Sequence, residues 1–277
     1  MVDTAYNLTD FEIGTPAMTD TNPTAACDLI RYENSDAVAH IELNRPQESN
    51  AIDQPTAQAL EMAIDRAAAD EAVRAILVTG AGKRFCAGGD LRSMLAADDH
   101  ALYLEGLAET LDRALRKLAQ LEKPVVAAVQ GAVAGAGIAL ILSCDLVIAD
   151  PSTKFVLAYS GVGLTPDCGT SYLLPRAIGQ QRALAMALTN RAVTADEALA
   201  WGLIAEVATD GSPTKRAFDL AKSLAAGPHL ALGQTRRLIR GGWESTRAEV
   251  GAEEARTIAR AIATPGAQNL LEKFVAR

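Results

Sequence analysis

Two glycine-rich segments carry the residues of this chain best suited to chemistry. Phe85-Cys86-Ala87-Gly88-Gly89-Asp90-Leu91 follows an apolar run and precedes a helical one, and its adjacent glycines let backbone approach a ligand closely. Gly131-Ala132-Val133-Ala134-Gly135-Ala136-Gly137-Ile138-Ala139 has the same setting. Free N–H groups from two such turns can converge on one oxygen, aided by a helix N-terminus, which suits charge developing on a carbonyl oxygen such as that of a thioester. Taken singly, each turn serves as well to let a helix pack closely on a strand. A third segment, Gly163-Leu164-Thr165-Pro166-Asp167-Cys168-Gly169-Thr170, sets an acid in a tight turn at a helix start. An Asp there is either a helix N-cap or a group that moves protons.

The elements that must position these segments are legible in outline. Leu29–Glu33 and Ala37–Leu43, separated by Asn34-Ser35-Asp36, predict a hairpin. Asp53 and Pro55 start a helix over Ala57–Ala68, and Val73–Thr79 is a buried strand that ends in Gly80-Ala81-Gly82. Tyr103–Leu121 is an amphipathic helix stopped by Pro124. Val125–Val129 is a strand, the glycine-spaced run to Leu142 a helix, and Leu146–Ala149 another strand. Strands alternating with helices imply βαβ units and a mostly parallel sheet. From Ser171 onward helices dominate: Arg182–Leu188, Ala195–Ala200, Lys215–Ala226, Leu230–Arg240 and Glu244–Ala263. The organisation expected is a flexible leader over residues 1–26, a core over 27–213 and a helical C-terminal region over 214–277.

Composition narrows the partners. The 277 residues include 34 Asp and Glu against 26 Lys and Arg, a net charge of −8, with no basic cluster. That disfavours nucleic acid and anionic membranes, although it leaves room for a local site for a small phosphorylated ligand. The longest apolar stretch, Val125–Leu142, is interrupted by Gln130, Gly131, Gly135 and Gly137 and makes a poor membrane span. Cys27, Cys86, Cys144 and Cys168 form no C-x-x-C, and His40, His100 and His229 supply no zinc spacing, so thiols in a reducing compartment and no metal are expected. With no secretory signal at the start, the expected location is the cytoplasm.

The order of motifs resembles the enoyl-CoA hydratase/isomerase (crotonase) superfamily. Leu43-Asn44-Arg45-Pro46 with Asn50-Ala51, the run Phe85–Leu91, Pro124–Asp145 ending in Ser143-Cys144-Asp145-Leu146, Thr153-Lys154-Phe155, Leu174-Pro175-Arg176 and Ala195–Leu203 carry the likeness, which spans about residues 28–277. The resemblance implies an α/β fold, a spiral of ββα units with a helical C-terminal trimerisation region, assembled as a homotrimer or a dimer of trimers. It implies an acyl-CoA thioester substrate, with coenzyme A arriving as part of that substrate and no separate cofactor. The N–H groups of Gly89 and Ala136 would form the oxyanion hole, and Ala87 would lie by the adenine. Arg45, Lys83, Arg92 and the C-terminal Lys273 are candidate phosphate partners, each also readable as a solvated surface charge.

Hydratases of this superfamily place two glutamates over the double bond, and the matching positions here are Ala139 and Tyr159. Neither offers a carboxylate, so a hydratase mechanism lacks its acid and base. The acid that is present, Asp167, stands where ring-epoxide phenylacetyl-CoA isomerases and 4-chlorobenzoyl-CoA dehalogenase also carry Asp. In the isomerase reading Asp167 shuttles a proton; in the dehalogenase or thioester-hydrolase reading it is the nucleophile. The dehalogenase has a histidine where this chain has Asp112, which is either a second acid facing the pocket or a solvated helix residue beside Arg113 and Arg116. Tyr159 packs on the acyl group, donates a hydrogen bond or fills the core. A hydratase in the broad family sense and a non-catalytic CoA-binding member are the further alternatives.

Overall fold

The computed structural model describes residues 29–209 and 212–276. The expected leader lies outside them. Strands β1 (Ile30–Ser35) and β2 (Val38–Leu43) pair antiparallel across Asp36 and Ala37, whose φ values of 53° and 61° match the twist of a tight hairpin. Strands β3 (Ala75–Gly80), β4 (Val125–Val129), β6 (Leu146–Ala149) and β9 (Glu206–Val207) then add in parallel, giving a six-stranded sheet in the order β1-β2-β3-β4-β6-β9. Every residue of β3 and β4 is buried, as expected of parallel strands covered on both faces.

A second sheet takes the order β5-β7-β8, from Ala132–Ala134, Lys154–Val156 and Val193–Thr194. The chain climbs by repetition. It makes a strand in the first sheet, a strand in the second and then a helix: β4, β5 and α4 (Ala136–Leu142), followed by β6, β7 and α5 (Thr170–Ile178). The expectation that the whole glycine-spaced run is helical is corrected here. Val133 lies in β5, and Gly135, at φ 48° and ψ −118°, turns the chain before the helix begins. β7 likewise comes from a stretch given no strand in the reading above.

The two faces of the first sheet bury different partners, because alternate side chains point opposite ways. Ala75, Leu77, Val126, Ala128 and Ile148 meet Ala217, Ala221 and Ala225 of α8 (Pro213–Ala225). Ile76, Val78, Val125, Ala127 and Val147 face the larger core. That core also takes α1 (Gln54–Ala69) and α3 (His100–Gln120), through Leu60, Ile64, Leu111, Leu115 and Leu118. Between them the short α2 (Leu91–Ala96) buries no residue. Helices α6 (Gln180–Thr189) and α7 (Ala195–Trp201) complete the spiral.

Three further helices close the chain: α9 (His229–Gly241), α10 (Arg247–Ile262) and α11 (Pro265–Val275). The helix expected over Glu244–Ala263 starts later, at a Thr246–Glu249 capping box, and Thr264 with Pro265 begins a separate last helix. Arg236 anchors α9. Its guanidinium, almost wholly buried, donates to Asp145 at 2.6 Å and to the carbonyls of Leu118, Ala119 and Leu121 at the end of α3. Arg240 adds Asp145 at 2.8 Å and the carbonyls of Ser143 and Cys144 beyond α4. Among the described residues, no helix is long and apolar enough to cross a membrane.

Candidate active site

Successive coils of the spiral stack, and stacking brings the two glycine turns together. Cys86 N–H donates to Ala132 O at 3.2 Å and Ala134 N–H donates to Cys86 O at 2.9 Å, a parallel bridge between Cys86 and Val133. A Cβ built on Gly135 would stand 3.4 Å from the Gly88 Cα, so the turns are in van der Waals contact. On the outer side, Ile52 N–H donates to Gly88 O and Asp90 N–H donates to Ile52 O. Strand alternation directs the intervening Gly89 N–H away from Ile52. In the second turn Gly135 N–H donates to Val156 O, which leaves Ala136 as the first residue of α4, with no helical carbonyl behind its N–H. The structure therefore sets Gly89 and Ala136 on neighbouring turns, with neither N–H spent on the hydrogen bonds that lock those turns.

The acidic loop reaches the same place. Tyr159 opens a short 3₁₀ turn after Ala158, which sits at φ 62°, and its ring carbon Cζ would be 3.9 Å from a Cβ on Gly135. Its hydroxyl donates to Asp167 Oδ1 at 2.7 Å. Of the readings open for Tyr159, the structure displays two together, the hydrogen bond and packing of the ring against the core. Burial, with the Asp167 carboxylate beside it, pushes the phenol far above its usual range and keeps it a neutral donor. Asp167 does not cap α5, whose N-cap is Gly169 with no side-chain bond. The N-cap alternative is thereby corrected. Cys168, at φ 49°, and Gly169, at φ 74°, turn the chain into α5. Burial and Asp167 push the Cys168 thiol up, which suits an inert lining residue rather than a nucleophile.

Ala139 is fully buried within α4, so a methyl fills one of the two positions where hydratases carry glutamate. Asp112 is half-buried behind the loop. A Cβ on Gly169 would be 3.9 Å from its Oδ1, while Oδ2 accepts from Arg116 at 2.8 Å. It is thus near the turn and already paired.

The candidate phosphate partners fall into different settings. Arg45 is tied internally, to Asp90 at 3.0 Å and Asp53 at 3.3 Å, and joins the Ala87 loop to the start of α1. Asn50, not singled out as a site residue above, completes that loop by donating to the carbonyls of Ala81 and Arg84 and accepting from Arg45 N–H. Ala87 N–H donates to Ser49 O at 3.0 Å. Lys83 and Arg92 are exposed near the Ala87–Gly89 turn. Lys273 stands exposed on α11, which packs on α10. The sequence also gave no sign of Thr170, whose hydroxyl is buried beside the acidic loop.

Comparison with known proteins gives a consistent answer. Residues 33–277 match the family described as enoyl-CoA hydratase/isomerase. The 1,2-epoxyphenylacetyl-CoA isomerase of Escherichia coli K12 is 39% identical over 207 residues, 73% of this chain and 78% of that protein. The 4-chlorobenzoyl coenzyme A dehalogenase-1 of an Arthrobacter species is 32% identical over 248 residues, 88% of this chain and 90% of that protein. The crystal structure of an enoyl-CoA hydratase from Mycobacterium smegmatis superposes with a TM-score of 0.84 at 30% identity, covering 90% of this chain and 96% of that one.

Proposed function

The chain belongs to the enoyl-CoA hydratase/isomerase family, with its crotonase fold, and on that premise we propose that it is an isomerase-type acyl-CoA enzyme that relies on one carboxylate. The carrying observation is Asp167, held by the Tyr159 hydroxyl beside the two glycine turns while a buried methyl occupies position 139. In this reading the thioester oxygen of a 3-enoyl-CoA accepts from Gly89 N–H and Ala136 N–H. Asp167 takes a proton from C2, the electrons move through C2–C3 onto C4, and the same proton returns at C4 to leave the conjugated 2-enoyl thioester. One carboxylate suffices for this shuttle, whereas adding water needs a base and an acid. Lys83, Arg92 and Lys273 serve the CoA phosphates; Arg45 holds the loop that Lys83 and Arg92 flank. The exposed apolar residues Ile239, Trp243, Ile258, Ile262 and Phe274 of the C-terminal helices support assembly as a homotrimer or a dimer of trimers. The setting is cytoplasmic.

The second reading, with Asp167 as nucleophile on an aryl or acyl carbon, draws on the Arthrobacter relative. It needs a base for the ester intermediate, and Asp112 is engaged with Arg116. Asp167→Asn tests both. The isomerase reading expects a loss of about 10²- to 10⁴-fold in the rise of ultraviolet absorbance that accompanies conjugation. Retained activity sinks it, and a covalent adduct on Asp167, seen by mass spectrometry after a quench, selects the nucleophile.

A further inference from the structure

Arg45 is charged and close to the glycine turn, yet its guanidinium is engaged inside the protein, with the side chain 14% exposed. Nη2 donates to Asp90 Oδ2 at 3.0 Å, while Nη1 donates to the Ala51 carbonyl at 2.5 Å and lies 3.3 Å from Asp53 Oδ2. The main chain of Arg45 is fixed as well. Its N–H donates to Asn50 Oδ1 at 2.9 Å, and Asn50 N–H donates to Arg45 O at 2.8 Å. Asp53 caps α1 and Asp90 caps α2, so the guanidinium grips the starts of two helices.

The bond to Ala51 has the longer reach. Among the described residues no peptide is cis, and in a trans peptide the C=O and N–H point in opposite directions. The guanidinium holds the Ala51 carbonyl on one side of its peptide. The N–H on the other side is that of Ile52, and it donates to Gly88 O at 2.8 Å. Across the next peptide, opposite the Gly88 carbonyl, stands the Gly89 N–H. Asp90 closes the frame: its N–H donates to Ile52 O at 2.9 Å, and its carboxylate returns to Arg45.

We propose that Arg45 is a positioning residue for the oxyanion hole, heading a relay of two peptide planes, Ala51–Ile52 and Gly88–Gly89, that aims the Gly89 N–H at the thioester oxygen. The inference rests on the oxyanion reading of Gly89 and Ala136. Two carboxylates balance the guanidinium, so Arg45 supplies direction rather than net charge, and each hydrogen bond in the row polarises the next. A donor aimed before substrate arrives stabilises the charge that develops on the oxygen and adds little to ground-state binding. Loss of Arg45 therefore lowers kcat and spares KM, whereas loss of a phosphate contact does the reverse.

The test compares the parent with Arg45→Met and Arg45→Lys. It measures kcat and KM with trans-3-hexenoyl-CoA, the Kd of free CoA by calorimetry, and the absorption band of bound cinnamoyl-CoA. The C4 of cinnamoyl-CoA is an aromatic carbon without hydrogen, so the shuttle cannot turn it over, and polarisation of its carbonyl moves the band to longer wavelength. Arg45→Met loses about 10²-fold in kcat, the scale of one misplaced oxyanion donor, and its red shift shrinks. KM and the CoA Kd stay within about threefold of the parent. Arg45→Lys keeps the charge without the fork that reaches Ala51 and Asp90 together, and falls between the two; if Arg45→Met does not fold, Arg45→Lys carries the test. A full red shift or parent kcat in the folded variants overturns the relay and leaves the oxyanion reading standing. A weakened CoA Kd beside a full shift makes Arg45 a phosphate contact instead. If the parent itself leaves the band unmoved, the oxyanion reading falls and takes the relay with it.

Discussion

Replacing Arg236 by methionine tests how the C-terminal helices are held to the spiral. Methionine keeps the apolar stem and removes the guanidinium. The guanidinium makes four hydrogen bonds: to Asp145 Oδ2 at 2.6 Å, Ala119 O at 2.7 Å, Leu118 O at 2.9 Å and Leu121 O. Asp145 is not stranded by the change, because Arg240 at 2.8 Å and Val125 N–H at 2.8 Å still reach it. The loss therefore falls at the lower end of the ~3–5 kcal/mol found on breaking a buried ion pair. Three carbonyls left without a donor, at about 1 kcal/mol each, give the same figure of ~3 kcal/mol. For a chain of this size that lowers Tm by roughly 6–12 °C. Thermal unfolding followed by far-ultraviolet circular dichroism reads the shift directly. The difference between parent and variant stays nearly constant from low to high salt, since a side chain 5% exposed is poorly screened. A drop of less than ~3 °C, or one abolished by salt, refutes the account of a buried clamp.

Two further substitutions probe stability elsewhere. Glu61 on α1 receives Arg113 at 2.8 Å and Lys117 at 2.9 Å from α3, and the hydrogen bonds from Arg113 lead in holding its carboxyl down to about 2. A depressed carboxyl contributes stability above its unfolded pKa and loses it as pH falls, so the contribution fades between about pH 5 and pH 2. Glu61→Gln accordingly flattens that part of the acid-denaturation curve, and an unchanged curve contradicts the pairing. Gly131 has φ +61°, and a Cβ there would lie 2.1 Å from Lys83 O, so Gly131→Ala costs about 2–4 kcal/mol in urea unfolding from strain and clash together. Gly163→Ala, at φ +76° with open space around the Cβ, carries the conformational cost alone, about 1 kcal/mol, and equal losses in the two variants would remove the clash from the explanation.

The sequence was most informative where one element decides the outcome alone. Val125–Val129 and Leu146–Ala149 coincide with β4 and β6, because a continuous apolar run flanked by breakers has one way to be buried. It misled where a short strand depends on pairing: Ala132–Ala134 and Lys154–Val156 exist because each lies against the other. The glycine turns and Asp167 were visible as motifs, and their meeting was not. The Cys86–Val133 bridge joins residues far apart in sequence, and no local pattern announces it. The same holds for the bond from Tyr159 to Asp167, where spacing left packing and hydrogen bonding equally open. Thr170 was hidden most deeply, since only the folded chain reveals that its hydroxyl lacks a partner.

The Cys86–Val133 bridge also divides the labour of the site. The half that would grip the thioester oxygen is made of main chain, locked by neighbouring strands, and substituting the side chains of its own turns hardly alters it. In the proposed mechanism, the half that would decide what becomes of the acyl group hangs on one loop, whose backbone turns at Ala158, Gly163, Cys168 and Gly169 absorb its unusual path. Such an enzyme is built to diverge. New reactions can be explored by rewriting residues 158–170 while the electrostatic core of the catalyst is inherited intact, and grafting this loop between relatives is the economical route to exchanging their chemistry.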